Sequence, residues 1–180
     1  MWMQLLFFVI PIAYFVYYYK QRPEESTGNW KEDFKEFFAF DRITLSTVKK
    51  GMVLAFVLIM AFFILSAIFS PFLPEGYNSV SAFISDSFDL YGGLFILIIF
   101  IGVFVEEFFF RTFLIDRFGI FISTLFFALM HSSYGSWFEL IGAFVLGLIL
   151  AYWWRRDREF YVLVIGHFIY NLFIILIALG

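Results

Sequence analysis

Six apolar runs with few charged residues are the feature that most constrains how this chain can fold. A helix needs about 20 residues to cross roughly 30 Å of hydrocarbon, and most of these runs have about that length. We predict membrane spans at residues 1–19, 51–73, 92–115, 118–131, 137–154 and 160–180. The expected fold is therefore all-α: a polytopic transmembrane helix bundle of about six spans, forming a single membrane domain over residues 1–180.

The composition agrees with a lipid environment. Of the 180 residues, 63% are hydrophobic and 15% are charged, and the 30 phenylalanines are too many for a soluble core of this size. The chain has no cysteine, which excludes disulfides, a cysteine nucleophile and thiolate metal sites. Glycine-rich phosphate loops and basic nucleic-acid patches are also absent, so the expected partner at this point is the lipid bilayer, and not nucleic acid.

The basic residues predict the orientation of the bundle. If six spans alternate, the connecting segments on one side hold all twelve Lys and Arg residues, counting Arg111 just inside the membrane. The opposite segments, 74–91 and 132–136, hold none. Because positive residues accumulate in short cytoplasmic loops, we expect a multi-pass cell-membrane protein with its basic loops in the cytoplasm and both termini outside.

One segment between the first two spans has the pattern of a helix that lies on the membrane. Residues 29–40 begin with a capping-box spacing and place four aromatic residues on one face, with charged residues on the other. Such a helix suits the cytoplasmic interface. It could brace the bundle or control substrate entry.

A small set of polar residues falls inside the predicted spans: Glu106, Glu107, Arg111, His131, His167 and Asn171. Charges near the bilayer centre cost ~2.5–3.5 kcal/mol, so such residues usually face a cavity and serve a function. Counted from the basic side by the helix rise, the glutamates lie roughly 16–18 Å deep and His131 roughly 20 Å. His167 lies roughly 12 Å deep and Asn171 roughly 18 Å. We therefore expect three helices to bring these groups to one level.

These residue types suit peptide hydrolysis, which needs an activated water and donors for the oxyanion. A carboxylate in a cavity of low dielectric constant becomes a better proton acceptor. Glu107 and Arg111 are four residues apart and can pair on one helix face. Glu106 points about 100° away from Glu107, toward the other helices. A histidine beside Glu106 can orient the water, and a second histidine with an asparagine one turn later can donate hydrogen bonds.

The motifs also resemble those of a known family. Three patterns follow one another on successive predicted helices: Glu106-Glu107-x-x-x-Arg111, Phe127-x-x-x-His131 and His167-x-x-x-Asn171. In this order they resemble the CAAX prenyl protease and bacteriocin-processing family of intramembrane proteases, also called CPBP or Abi. The resemblance covers nearly half of the chain and makes residues 92–180 the expected catalytic core.

The resemblance implies a CAAX-type endopeptidase and a role for each matching residue. Glu106 would be the catalytic base, and His131 would help to activate the water. His167 and Asn171 would bind the oxyanion. Glu107 and Arg111 would hold the site in shape. The substrate would be a peptide bond near the membrane, in a prenylated or an unprenylated chain.

Other interpretations of the same residues stay open. Glu106, His131 and His167 could form a His₂Glu zinc site, which would make the enzyme a metalloprotease, although a metal-free mechanism is favoured. A bacteriocin-immunity or scaffold protein of the same fold would need no such complete set of residues. A transporter would be expected to show inverted repeats or discontinuous helices, and the sequence shows neither.

Overall fold

The computed structural model describes residues 2–21, 28, 29, 32, 43–73, 79–134 and 136–180. Within this part of the chain all regular structure is helical, as predicted. Seven α-helices lie in it: α1 Trp2–Gln21, α2 Leu45–Phe69, α3 Ser79–Tyr91, α4 Leu94–Glu107, α5 Ile115–Met130, α6 Trp137–Asp157 and α7 Phe160–Leu179. Three shorter helical segments join them: 3₁₀-helices at Ser70–Phe72 and His131–Tyr134 and a π-helix at Phe108–Leu114.

The helices follow the predicted spans, but the predicted number of spans is not confirmed. Among the described residues, three helices are long and apolar enough to cross a membrane singly, namely Leu45–Phe72, Trp137–Asp157 and Phe160–Leu179. A fourth crossing is added if Val80–Tyr91 and Leu94–Met130, which meet at a bend of 120°, form one broken span. Nearly all of the interfacial helix predicted over 29–40 lies outside the described residues.

Helix α3 was not predicted. It occupies a segment that the sequence assigned to a loop, because polar residues interrupt its apolar positions and no long apolar run results. Its buried residue, Ile84, packs against Phe95 of α4 and Ile175 of α7. The chain then turns at Gly92, whose φ of 55° favours glycine, and continues into α4.

Glycines allow the two central helices to approach closely. A Cβ on Gly51 of α2 would lie 2.6 Å from Cγ2 of Ile165 in α7, and a Cβ on Gly166 of α7 would lie 2.8 Å from Leu54 in α2. Small residues are typical of such contacts in membranes, where packing is the main attraction between helices. Both helices contribute to one buried cluster of the described residues, in which Leu54 of α2 and Val162 of α7 lie with Leu150 and Trp154 of α6.

The segment from α4 to α5 forms a hairpin. The chain passes without interruption from α4 through the π-helix into α5, and leaves helical geometry at Gly119, where φ is 81° and ψ is 173°. The rest of α5 packs back on the π-helix, where the hydroxyl of Ser123 donates to the carbonyl oxygen of Phe110 at 2.6 Å. The predicted turn near residue 116 therefore lies at residue 119, and the hairpin places α5 against the π-helix.

Large apolar side chains are exposed along the outside of the bundle. On α2, for example, Met52, Phe56 and Ile64 are each at least 59% exposed. Lipid, rather than water, is the solvent that such a surface suits. With the apolar helices, it identifies the chain as an integral membrane protein.

Candidate active site

A fully buried ion pair lies where α4 passes into the π-helix. Glu107 has 0% and Arg111 has 1% of its surface exposed, and Nε of Arg111 lies 3.3 Å from Oε2 of Glu107. The guanidinium also donates from Nη2 to the carbonyl oxygen of Gly147 in α6 at 3.5 Å. It lies 4.3 Å from the centre of the Phe127 ring in α5. Arg111 thus contacts residues of α4, α5 and α6.

The second carboxylate oxygen of Glu107 forms a hydrogen bond with a different residue. Nδ1 of His167, on α7, lies 2.8 Å from Oε1 of Glu107, and His167 is 5% exposed. An ionised carboxylate can only accept hydrogen bonds, so Nδ1 is the protonated nitrogen. Glu107 is therefore held between a guanidinium and an imidazole. Nε2, the other nitrogen of the His167 ring, is not the atom that faces Glu107.

His131 lies at the end of α5, where the helix tightens into a 3₁₀ turn. Its Nδ1 lies 2.9 Å from the carbonyl oxygen of Phe127, and because a carbonyl only accepts, Nδ1 again carries the proton. In the neutral ring, Nε2 is then the nitrogen that can accept a proton. His131 is half-buried, unlike His167.

The ring of Phe127 connects these groups. Its centre lies 4.6 Å from that of the His131 ring and 6.1 Å from that of the His167 ring. Together with the Arg111 contact, this ring touches a residue from each of the three motifs. Phe127 itself is 3% exposed. The sequence indicated its i, i+4 relation to His131 but assigned it no role.

Glu106 and Asn171 adjoin this cluster by their positions in the helices. Glu106 precedes Glu107 and is half-buried, and its charge acts on Arg111. Asn171 follows His167 by one turn and is also half-buried. Within the described residues, neither side chain forms a hydrogen bond. The structure thus joins Glu107, Arg111, His131 and His167 through direct contacts and Phe127, and leaves the side chains of Glu106 and Asn171 available to a ligand.

Two further residues of the site were not found from the sequence. Gly147 of α6 supplies the carbonyl for Arg111, and a Cβ at this position would lie 2.9 Å from Cδ1 of Phe127. The hydroxyl of Ser123 donates a hydrogen bond to the carbonyl oxygen of Phe110. The same oxygen accepts a hydrogen bond from the N–H of Ile115 at the end of the π-helix. A glycine or a serine in an apolar helix carries no signal by itself, since only the neighbouring helix gives it a function.

The donors of the site do not fit a zinc ion in this arrangement. In the part of the chain that the structure describes, no three His, Asp or Glu side chains are grouped closely enough to hold a metal ion. The set Glu106, His131 and His167 is therefore not assembled as ligands.

Comparison with known families identifies the region that contains the site. The sequence model of the family described as type II CAAX prenyl endopeptidase Rce1-like matches residues 89–173. This segment includes all residues of the three motifs, and the match confirms the family that they resemble. No curated protein and no solved structure gives a significant match to the chain.

Proposed function

We propose that this chain, whose residues 89–173 carry the Rce1-like region, is an intramembrane endopeptidase of the CAAX type. The observation that most supports the proposal is the junction of the three motifs. The Glu107–His167 hydrogen bond joins the first motif to the third, and the ring of Phe127 joins the second motif to both. Convergent titratable groups in an apolar setting are what hydrolysis inside a membrane requires.

Glu106 is the proposed general base. A base must reach the water that it activates, and Glu107 cannot, because it is fully buried with its oxygens directed to Arg111 and His167. Glu106 is half-buried and its side chain is not engaged in a hydrogen bond within the described residues. His131 would assist, since its Nε2 can accept a hydrogen bond from the same water.

Asn171 and His167 are the proposed donors to the oxyanion. The amide of Asn171 can donate in any state, whereas His167 can donate only if Nε2 is also protonated, because its Nδ1 proton faces Glu107. The role therefore requires the imidazolium form, whose positive charge the carboxylate of Glu107 would stabilise. Glu107 is thus a positioning residue that acts through His167.

These groups account for each proton that moves in the reaction. Glu106 takes a proton from water, and the hydroxide attacks the carbonyl carbon to form a tetrahedral intermediate. His167 and Asn171 stabilise its oxyanion. The intermediate then collapses with cleavage of the C–N bond, and Glu106 returns the proton to the leaving amine. No step needs a metal ion.

The proposal is tested with Glu106→Gln and, as the matched variant, Glu107→Gln. Both remove one negative charge and keep the side-chain shape. Glu106→Gln should lower turnover by at least about 10²–10⁴-fold, the usual contribution of general base catalysis, with unchanged stability. Glu107→Gln should lower activity and also destabilise the fold, by about 3–5 kcal/mol, because it breaks a buried ion pair.

The measurements are peptidase assays in detergent with prenylated and unprenylated CAAX-type peptides, and thermal unfolding of each variant. We propose prenylated peptides as the substrate class, so cleavage of the prenylated peptide should be faster. Full activity in well-folded Glu106→Gln would exclude the proposed base. Lack of cleavage of either peptide by the wild-type protein would favour a non-enzymatic protein of the same fold.

A further inference from the structure

A cavity of about 340 Å³ lies on the surface between α1 and the π-helix. It is lined by Ala13, Tyr14, Tyr17, Phe113 and Arg117. The lining combines one cationic side chain with two tyrosines, on a background of apolar atoms. Neither the motifs nor the proposed reaction uses any of these residues.

Arg117 is held in a fixed orientation at this cavity. Its guanidinium lies 4.1 Å from the ring centre of Phe113 and 4.9 Å from that of Tyr14, and Nη1 donates to the carbonyl oxygen of Phe113 at 3.1 Å. Within the described residues, its other nitrogens have no acceptor. The adjacent carboxylate of Asp116 is paired with Arg158 at 2.7 Å, so it does not neutralise Arg117. The remaining donors of a pre-oriented guanidinium therefore face the cavity or solvent.

The cavity is at the basic end of the bundle. The Asp116–Arg158 and Lys50–Glu159 ion pairs join the turn after the π-helix, the start of α2 and the α6–α7 connection at this end. Lys20 lies in the last turn of α1, one turn beyond Tyr17. Tyrosine and arginine side chains at a helix end are typical of the membrane–water interface, where phospholipid headgroups lie.

We propose that this cavity binds the phosphate group of an anionic phospholipid. A guanidinium binds phosphate through paired hydrogen bonds, and the hydroxyl of Tyr17 can supply a further donor. Helix α1 favours a lipid over free phosphate, because Val9, Ile12 and Val16 are exposed on the helix that lines one side of the cavity and can contact acyl chains. Basic pockets between helices on one side of a membrane are suited to such headgroups. The bound lipid would link α1 to the π-helix.

The test uses the full chain in detergent and does not depend on peptidase activity. Binding of phosphatidylglycerol is measured by native mass spectrometry, with phosphatidylcholine and inorganic phosphate as the comparison ligands. The variants are Arg117→Gln and Arg117→Lys, and the control is Arg155→Gln. Arg155 is an exposed arginine near the same end, and it does not line the cavity. Arg155→Gln therefore removes the same charge as Arg117→Gln and leaves the cavity unchanged.

The wild-type protein should prefer phosphatidylglycerol to phosphatidylcholine, and Arg117→Gln should weaken this binding by about tenfold or more. Arg117→Lys should weaken it less, since it keeps the charge and loses the paired donors. Arg155→Gln should bind as the wild type does. The proposal is overturned if neither the wild-type protein nor Arg117→Lys prefers phosphatidylglycerol to phosphatidylcholine. It is also overturned if Arg155→Gln weakens phosphatidylglycerol binding as much as Arg117→Gln does. Equal affinity for inorganic phosphate would exclude a lipid as the specific ligand.

Discussion

Glu107 is the residue on which the site is centred, although it is the neighbouring glutamate that we propose as the base. Its two oxygens contact groups from two helices, and it has no exposed surface. Several buried polar atoms here, Oε2 of Glu107 and Nε and Nη1 of Arg111, have no hydrogen-bond partner in the described structure. Arg111 instead rests on the Phe127 ring. Such incomplete satisfaction of buried charges is costly, and it is typical of sites retained for function.

Asn171 distinguishes the metal-free mechanism from the zinc-dependent one. If Asn171 donates to the oxyanion, Asn171→Ala should lower turnover by about 10²–10³-fold with little change in KM. If zinc were held by Glu106, His131 and His167, the same change should mainly weaken metal affinity, by about 10–100-fold. Turnover, metal content and rescue by added zinc are measured on one preparation. One equivalent of tightly bound zinc, whose removal abolishes activity, would contradict the metal-free proposal.

Among the secondary-structure elements, the π-helix has the greatest influence on the site. It begins directly after Glu107 and includes Arg111, and π-helical segments are rare and frequent at functional sites. The extra residue in its turn is stabilised at Phe110, whose carbonyl oxygen accepts both the N–H of Ile115 and the hydroxyl of Ser123. The wider turn sets the direction of every side chain that follows, including that of Arg111.

Gly147 provides a test of how packing between elements positions the site. Gly147→Ala would add a Cβ 2.9 Å from Phe127 and 3.1 Å from Thr124, and the buried ring would have to move. Since this ring contacts Arg111 and both histidines, we expect turnover to fall by about 10²-fold, as for other displacements of about 1 Å. Stability should fall by about 1–3 kcal/mol. Peptidase assays and thermal unfolding measure the two effects.

The matched control lies on the same helix. A Cβ on Gly142 would meet no atom within 4 Å, so Gly142→Ala should keep full activity and, through its higher helix propensity, should not lower stability. Equal turnover in the two variants would show that the position of Phe127 does not matter for catalysis.

The sequence predicted some parts of the site and fold well and could not predict others. The long apolar runs located α6 and α7, because hydropathy measures length and apolarity directly. Motif spacing indicated that Glu107 and Arg111 share a face, and the structure pairs them. The Glu107–His167 contact was not predictable, since it depends on how α4 and α7 are rotated about their axes. It also depends on the π-helical turn that follows Glu107. The amphipathic α3 was missed because it is not continuously apolar.

Among the described residues, two ion pairs lie at one end of the molecule. Lys50 contacts Glu159, and Arg158 contacts Asp116, so basic residues far apart in sequence meet at the same end of the bundle. These side chains are between 36% and 46% exposed, and exposed ion pairs usually contribute only ~0–1 kcal/mol. Their significance is therefore their shared location at one end of the bundle.

The orientation of the bundle is the prediction that belongs to the whole molecule. Because short cytoplasmic loops retain Lys and Arg, the end that contains Arg158 should face the cytoplasm, and the connections that lack basic residues should face outside. Paired fusions to alkaline phosphatase, active only outside, and to green fluorescent protein, fluorescent only inside, measure this directly. Fusions after Gly76 and after Ser133 should report the outside, and a fusion after Arg158 should report the inside. Reversal of all three would invert the orientation and leave the count intact. Reversal of one alone would show that the spans do not alternate as predicted.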